Sequence, residues 1–495
     1  MLSPLSSPIY HELSPVFRPS NSVSLSKNKN DTYLLIKQLL LGGIPTIFCL
    51  ELSIITQFIN VYFIGHLNDP VMLGGLGVAL IWLNSLVYSL FMSINTGFLS
   101  LSAQAFGKKD FRLLGLYFQR GCLINLVICL ISTIILFIST PILTFFGLEE
   151  KVVDLAMDYI FYSIPSVFFY AYYDIAKSFL QVQKVFNPQL IIQLISVIFH
   201  FIAAYLFIDV CDMKLSGAGL ARSCSDFLNF FLISFYVYLR NPHKESLFPL
   251  SEEALRGWKN YLGVSIPIAM SFYVQCLCYG FLTVIAGNLP NPDDLAAHVA
   301  MANTSAMFFF ISLGLSMVMQ NFVGNALGQA NSQKAKQITK IGMVMNGVFI
   351  FVFFVFIMLT HKWLAEFYTQ EVNVVMILND LIILYAFLSA ADFSQIFLAG
   401  VMKAIGKEDL ALKIYLVVYY LFGLPLCFIL AFPLGGGVYG LWLGWAIVLY
   451  VTMCAFGVII YKVDWELQNN EIRERLLQDQ CVDRKAMEEV EMQKI

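Results

Sequence analysis

Charge is scarce in this sequence. Only 13% of its 495 residues are Asp, Glu, Lys or Arg, about half of the roughly 25% usual in a soluble globular chain. A chain so short of charge cannot clothe itself in a solvated surface, and a net charge of −3 leaves no electrostatic footprint for nucleic acid. Histidine is scarce too, with six residues, and the ten cysteines lie mostly inside apolar runs, as at Cys49, Cys122, Cys129, Cys276, Cys278, Cys427 and Cys454. There they act as small hydrophobes, so neither a disulfide framework nor a metal centre is expected. Cys276 and Cys278 are separated by a single residue and point to different helix faces. Nucleophile elbows and phosphate loops are missing, and the chain is not expected to be an enzyme. The first 30 residues are rich in Ser, Pro and Asn and hold no apolar core for a signal peptide, which reads as a disordered cytosolic tail.

What is abundant is apolar surface: 59% hydrophobic residues and a mean hydropathy of +0.74. A membrane span needs about 20 apolar residues. Runs that meet this fall near 34–62, 71–97, 114–140, 155–178, 189–209, 216–240, 258–287, 296–322, 338–360, 375–401, 412–432 and 437–462. The expected fold is therefore an all-α polytopic membrane protein of twelve helices. Its expected divisions are a tail over 1–30, a first lobe over 31–240, a cytosolic linker over 241–257, a second lobe over 258–463 and a charged tail over 464–495 that is solvated and at most partly helical.

Orientation follows from Lys and Arg. The N-terminal tail holds Lys27, Lys29 and Lys37, and the even-numbered connections hold Lys108, Lys109 and Arg112, then Lys177 and Lys184, Arg240 and Lys244, Lys334 and Lys336, and Lys403, Lys407 and Lys413. The odd-numbered connections are nearly free of positive excess, so both termini are expected in the cytosol. The sequons at Asn30 and Asn303 then face the cytosol and lie within a span, and neither is expected to be glycosylated. Either the plasma membrane or a vacuolar or other internal membrane fits.

The halves repeat each other. Ile44 and Pro45 return as Ile266 and Pro267, and "GHLNDPVML" from Gly65 returns as "GNLPNPDDL" from Gly287, both at the same offset. Gly107 in "QAFGKKD" answers Gly328 in "NALGQAN", and Gly219 answers Gly440, both at an offset shorter by one position. An even number of spans per half inserts both copies in the same direction, the arrangement from which transporters build a cavity between two lobes.

Asp392 sits near the middle of the apolar run "YAFLSAADFSQIFLAG". An ionised Asp at a helix centre costs about 2.5–3.5 kcal/mol, so such a residue is a functional candidate by default. Tyr385, Ser389 and Gln395 share its helix face. In an apolar cavity the neutral carboxyl form is favoured, which lets a proton load and leave. Two further acids are candidates. Glu51 in "IFCLELSIITQF" has no basic residue within reach on its own helix, and Asp174 in "FFYAYYDIAKSFLQ" has Lys177 one turn away, so local pairing and function both stay open for it. His200 reads as a packed hydrogen-bonding residue, and Tyr273, Tyr279 and Tyr385 as aromatic faces for a cation.

"SAQAFGKKD", "FLQVQK" with Pro188, "VGNALGQANSQKAKQ", "YYLFGLPL" and "GGGVYGLWLG", together with the two "IP" entries, resemble the multidrug and toxic compound extrusion (MATE) family over residues 34–462, its eukaryotic branch in particular. The resemblance implies a V-shaped, two-lobe antiporter that exports organic cations or other amphiphiles, xenobiotic or metabolic, against an inward flow of protons or sodium. It implies no cofactor beyond that ion, a small-molecule substrate and the lipid bilayer as partners, and a monomer. It also gives the acid at the Asp392 position a part in ion coupling or substrate binding. Elsewhere the chain departs from the family pattern: positions that carry acids in relatives hold Gln275, Gly280, Asn303 and Asn60. An amide can hydrogen-bond or coordinate sodium but carries no proton. The expected site is Asp392 with Gln275, Asn303, Gln395 and Tyr385 around it, and Asn60, Glu51 and Asp174 in the first lobe. The alternatives are an exporter of organic anions or lipid-linked solutes, which needs basic residues facing the cavity and finds only Arg222 and Lys177, near span ends, or a receptor or scaffold that does not transport.

Overall fold

The computed structural model describes residues 29–493 apart from Asn68, Phe146 and Gln370. Most of the tail expected over residues 1–30 lies outside the described residues. Among them no β-strand occurs. Twelve long helices follow in order: α1 Lys29–His66, α2 Pro70–Gly107, α3 Phe111–Phe137, α4 Glu150–Val182, α5 Asn187–Val210, α6 Lys214–Arg240, α7 Trp258–Gly287, α8 Pro292–Gly328, α9 Ser332–Tyr368, α10 Val372–Ala404, α11 Glu408–Ala431 and α12 Gly437–Lys462. A short helix, Ser139–Phe145, precedes α4. An amphipathic helix, α13, closes the chain at Trp465–Gln493. Eleven of the twelve are apolar enough to span a bilayer. The exception is α6, which spends its first half on small and polar residues and carries Arg222 and Asp226.

The repeated motifs have a structural job: they start helices. Asp69 accepts the main-chain N–H groups of Val71 at 2.9 Å and Met72 at 3.3 Å, and Pro70 then opens α2. Asn291, its counterpart in the second repeat, accepts from Asp293 at 3.1 Å ahead of Pro292 and α8. Asp110 caps α3 through Leu113 N at 3.0 Å, and its counterpart Asn331 caps α9 through Lys334 N at 2.9 Å. Short side chains that satisfy orphan N–H groups, with Pro at the first helical position, are what a helix start selects.

Helices α1–α6 pack on one another and α7–α12 do the same. The two sets meet along α2 with α8, α1 with α8 and α2 with α7, contacts that the repeat interchanges. Three helices carry a π-helical turn: Asn84–Tyr88 in α2, Tyr205–Val210 in α5 and Leu416–Gly423 in α11. Such turns widen a helix and often sit at functional sites. In α11 the widening precedes Pro425, which has no N–H to give to the turn before it. The linker lies along α3, where Gln119 donates to the carbonyls of Phe248 at 2.9 Å and Pro249 at 3.1 Å, and Arg112 pairs with Glu253 at 2.9 Å.

Candidate functional site

A cavity of about 870 Å³ lies between the two helix sets. Most of its wall comes from α1, α2, α4, α5 and α6, including Asn84 and Tyr88 of the π-helical turn in α2. Phe272 of α7, Asn303 to Phe310 on α8 and Trp363 to Tyr368 on α9 close the other side. Its outer residues, Val61, Leu80 and Tyr368, lie toward the odd-numbered connections.

Two ion pairs stand at this cavity. Lys177 lines it and holds Asp174 Oδ1 at 2.6 Å, while Asn95 donates to Asp174 Oδ2 at 2.8 Å and Asn125 to Asn95 at 3.0 Å. Asp174 is thus satisfied on both oxygens and 2% exposed. On α6, Arg222 Nε meets Asp226 Oδ2 at 2.7 Å, a second Arg222 nitrogen donates to Thr56 Oγ1 at 3.1 Å, and the guanidinium lies 4.7 Å from the centre of the Tyr88 ring. Both members of this pair line the cavity. The expectation that Arg222 sits near a span end is corrected here: it lies a third of the way into α6, with its side chain buried.

In the second helix set Asp392 is 2% exposed. Its Oδ1 accepts from Gln395 Nε2 at 3.3 Å, Gln395 Oε1 accepts from Tyr415 at 2.8 Å, and its Oδ2 is buried with no hydrogen-bond partner. Tyr279, Tyr385, Tyr415 and Tyr419 all stand close enough to feel its charge. Tyr279 and Tyr419 pack edge-on to Trp445, with ring centroids 5.0 and 4.9 Å apart. Asp392 does not line the large cavity.

The end opposite the cavity mouth is sealed by bonds between the two helix sets. Gln320 donates to Thr96 O at 2.8 Å, Ser100 to Lys403 O at 2.8 Å, Gln104 to Ala404 O at 3.0 Å and Asn321 to Gln181 O at 2.5 Å. Helix α13 lies across this seal. Its Asp479 accepts from Tyr117 of α3 at 2.5 Å and from Asn260 of α7 at 2.6 Å, Arg475 donates to Gln104, Gln480 to Asp110, and Lys407 pairs with Glu471 at 3.5 Å. The charged C-terminal stretch, expected to be solvated, thus ties both sets together.

The expected residues divide. Asp392, Gln395 and Tyr385 come together on α10. The amide N–H of Gln275 donates to the carbonyl of Ser271 in its own helix at 3.0 Å rather than to Asp392. Asn303 faces the large cavity instead. Asn60 is packed, donating to Tyr159 at 3.3 Å and facing His200 Nε2 at 3.1 Å, while His200 Nδ1 meets Ser225 at 2.9 Å. Glu51 is half-buried, and its Oε1 has no partner. Tyr273, Tyr279 and Tyr385 do not line the cavity, whose phenols are Tyr88, Tyr170, Tyr173 and Tyr368; Tyr273 reaches across to Ser85 O at 3.0 Å. The functional candidate that sequence reading passed over is Asp226. Its signal was the spacing of four from Arg222, an ion-pair spacing inside an otherwise apolar run.

Comparison with known proteins bears on all of this. The MatE family model matches residues 45–206 and again 267–429, two stretches that begin at the repeated Pro45 and Pro267. Protein DETOXIFICATION 16 of Arabidopsis thaliana is 28% identical over 442 residues, 89% of this chain and 90% of that protein. Multidrug and toxin extrusion protein 2 of Oryctolagus cuniculus is 26% identical over 420 residues, 85% of this chain and 70% of that protein. The crystal structure of the eukaryotic MATE transporter AtDTX14 superposes with a TM-score of 0.84 at 23% identity, covering 90% of this chain and 99% of that one.

Proposed function

The chain belongs to the MatE family and is a multi-pass membrane transporter rather than an enzyme; from that premise we propose that it is a proton-coupled antiporter that expels small amphiphilic solutes by alternating access. The observation that carries this reading is the asymmetry of the interface between the two helix sets: bonded shut at one end, with a cavity of about 870 Å³ toward the other. The shut end bears the Lys- and Arg-rich connections and both ends of the described chain. By the positive-inside rule that end is cytosolic, and the cavity opens away from the cytosol.

Asp392 is the proposed coupling residue. A buried carboxyl group with one unpartnered oxygen costs much less as the neutral acid than as a carboxylate. Sodium is the weaker choice, because it needs several oxygens and Gln395 turns its nitrogen to Asp392 while its oxygen is taken by Tyr415. Since Asp392 stands outside the large cavity, proton and substrate do not compete for one spot, and coupling runs through the helices that bear them. Loss of the proton charges the centre of α10, whose end at Lys403 and Ala404 is part of the seal.

Organic cations, the class implied by the family resemblance, meet an obstacle. The Tyr88 ring, a natural seat for a cation, is already covered by Arg222. The test of the proposal is efflux of a fluorescent amphiphile from proteoliposomes under a proton gradient or a sodium gradient applied separately. Efflux that follows the proton gradient supports it. Efflux that follows only sodium, or neither gradient, removes it.

A further inference from the structure

The charges in the cavity wall set a rule for what can bind. Arg222 and Asp226 stand one turn apart on α6 with side chains 9% and 6% exposed, joined at 2.7 Å. Inside an apolar wall such a pair is stable as a pair, and either member left alone is a buried uncompensated charge. A ligand that carries only a cation shares Asp226 with Arg222, which is bonded to Oδ2, and leaves one positive charge in the wall uncompensated. A ligand that carries only an anion does the reverse. A ligand with both charges exchanges partner for partner and strands neither.

The neighbouring groups sort in the same way. The Lys177–Asp174 pair cannot make such an exchange. Asp174 does not line the cavity, and its second oxygen is held by Asn95 at 2.8 Å. Lys177 is therefore neutralised from behind and leaves Arg222–Asp226 as the exchangeable couple. One further turn along α6, Asn229 lines the same wall, is 3% exposed, and presents a carbonyl oxygen, Oδ1, with no donor. A buried acceptor with no donor calls for one from a ligand. Beside a carboxylate, that donor is best supplied by an ammonium group, which has three N–H bonds and needs more than one acceptor. On the other side Arg222, beyond the N–H groups given to Asp226 and Thr56, keeps others that suit a planar carboxylate.

On the transport reading above, we propose that the cavity selects amphoteric solutes: an apolar or aromatic body that bears both an amine and an acid, with the ammonium at Asp226 and Asn229 and the acid at Arg222. Tyr170 and Tyr173 of α4 and Phe272 of α7 supply apolar wall for the body. A singly charged amphiphile enters the same space without this exchange and binds more weakly.

The test uses the full-length protein in lipid nanodiscs and three probes on one indole body: tryptamine, indole-3-propionate and tryptophan, ranked by equilibrium competition. Tryptophan is expected to bind about tenfold or more tightly than either singly charged probe. In the variant Arg222→Gln/Asp226→Asn, which removes both charges together, that advantage is expected to vanish. The ranking on the unaltered protein decides the matter even where the double variant does not fold. Tryptamine or indole-3-propionate binding as tightly as tryptophan, no measurable binding by any of the three, or an unchanged ranking in the folded double variant overturns the rule. Gradient-driven efflux measured after reconstitution of the same protein into proteoliposomes separates the two levels. Efflux that persists while tryptamine outranks tryptophan removes the charge rule and leaves the transporter reading, whereas efflux without gradient dependence removes both.

Discussion

Gly107 at the end of α2 and Gly328 at the end of α8, equivalent positions of the two repeats, lie against each other at the sealed end of the molecule. A methyl group on Gly107 would come within 3.0 Å of the Gly328 Cα and would overlap the Asn325 carbonyl; one on Gly328 would overlap the Gln104 carbonyl. The two repeats therefore close on their own equivalent residues. Gly107→Ala or Gly328→Ala is expected to cost the sealed state about 1–3 kcal/mol by overpacking. Thiol labelling of a cysteine placed at Ser100 should then speed up, and an unchanged labelling rate in both variants would show that the seal does not depend on this approach.

A second prediction concerns α13. Asp479 is 4% exposed and joins Tyr117 of one helix set to Asn260 of the other. Asp479→Ala removes two hydrogen bonds to a carboxylate, each worth about 1.5–3 kcal/mol, and leaves the Tyr117 hydroxyl buried without its acceptor. The expected outcome is easier opening of the sealed end, read as a longer mean distance between spin labels on Lys109 and Gln329 positions, with the apolar core intact. A distance distribution identical to that of the wild type would mean that α13 rests on the seal without holding it.

The Asp174–Lys177 pair is expected to be structural. Lys177→Gln alone strands a buried carboxylate and should destabilise the protein by about 3–5 kcal/mol, whereas Asp174→Asn/Lys177→Gln together should recover most of that loss. Thermal unfolding in detergent reads the stability, and the double variant should retain gradient-driven efflux. Loss of efflux in a stable double variant would move ion coupling to Asp174.

Much of this was legible because the bilayer forces it to be. Backbone groups in lipid must bond within a helix, so apolar runs become spans and their number can be read directly. Asp69, Asp110 and their counterparts Asn291 and Asn331 were visible as repeated motifs, though their role as caps needed coordinates. Asp392 and Gln395 could be paired from sequence because a spacing of three is helical. What a single sequence does not encode is how far each helix is turned about its own axis toward the others. For that reason the sequence did not show that Asn303 turns to the large cavity or that the Gln275 amide turns back onto its own helix. Helix α13 was missed because its partners, Tyr117, Asn260 and Gln104, are far away along the chain and look like ordinary span residues.

The most direct test of the central claim compares the wild type with Asp392→Asn in proteoliposomes by two assays: efflux driven by a proton gradient, and exchange of labelled for unlabelled solute with no gradient. The amide cannot carry the proton but fills the same space. The account predicts that Asp392→Asn loses gradient-driven efflux and keeps exchange, because the cavity and its seal are untouched. Gradient-driven efflux that survives the substitution contradicts it.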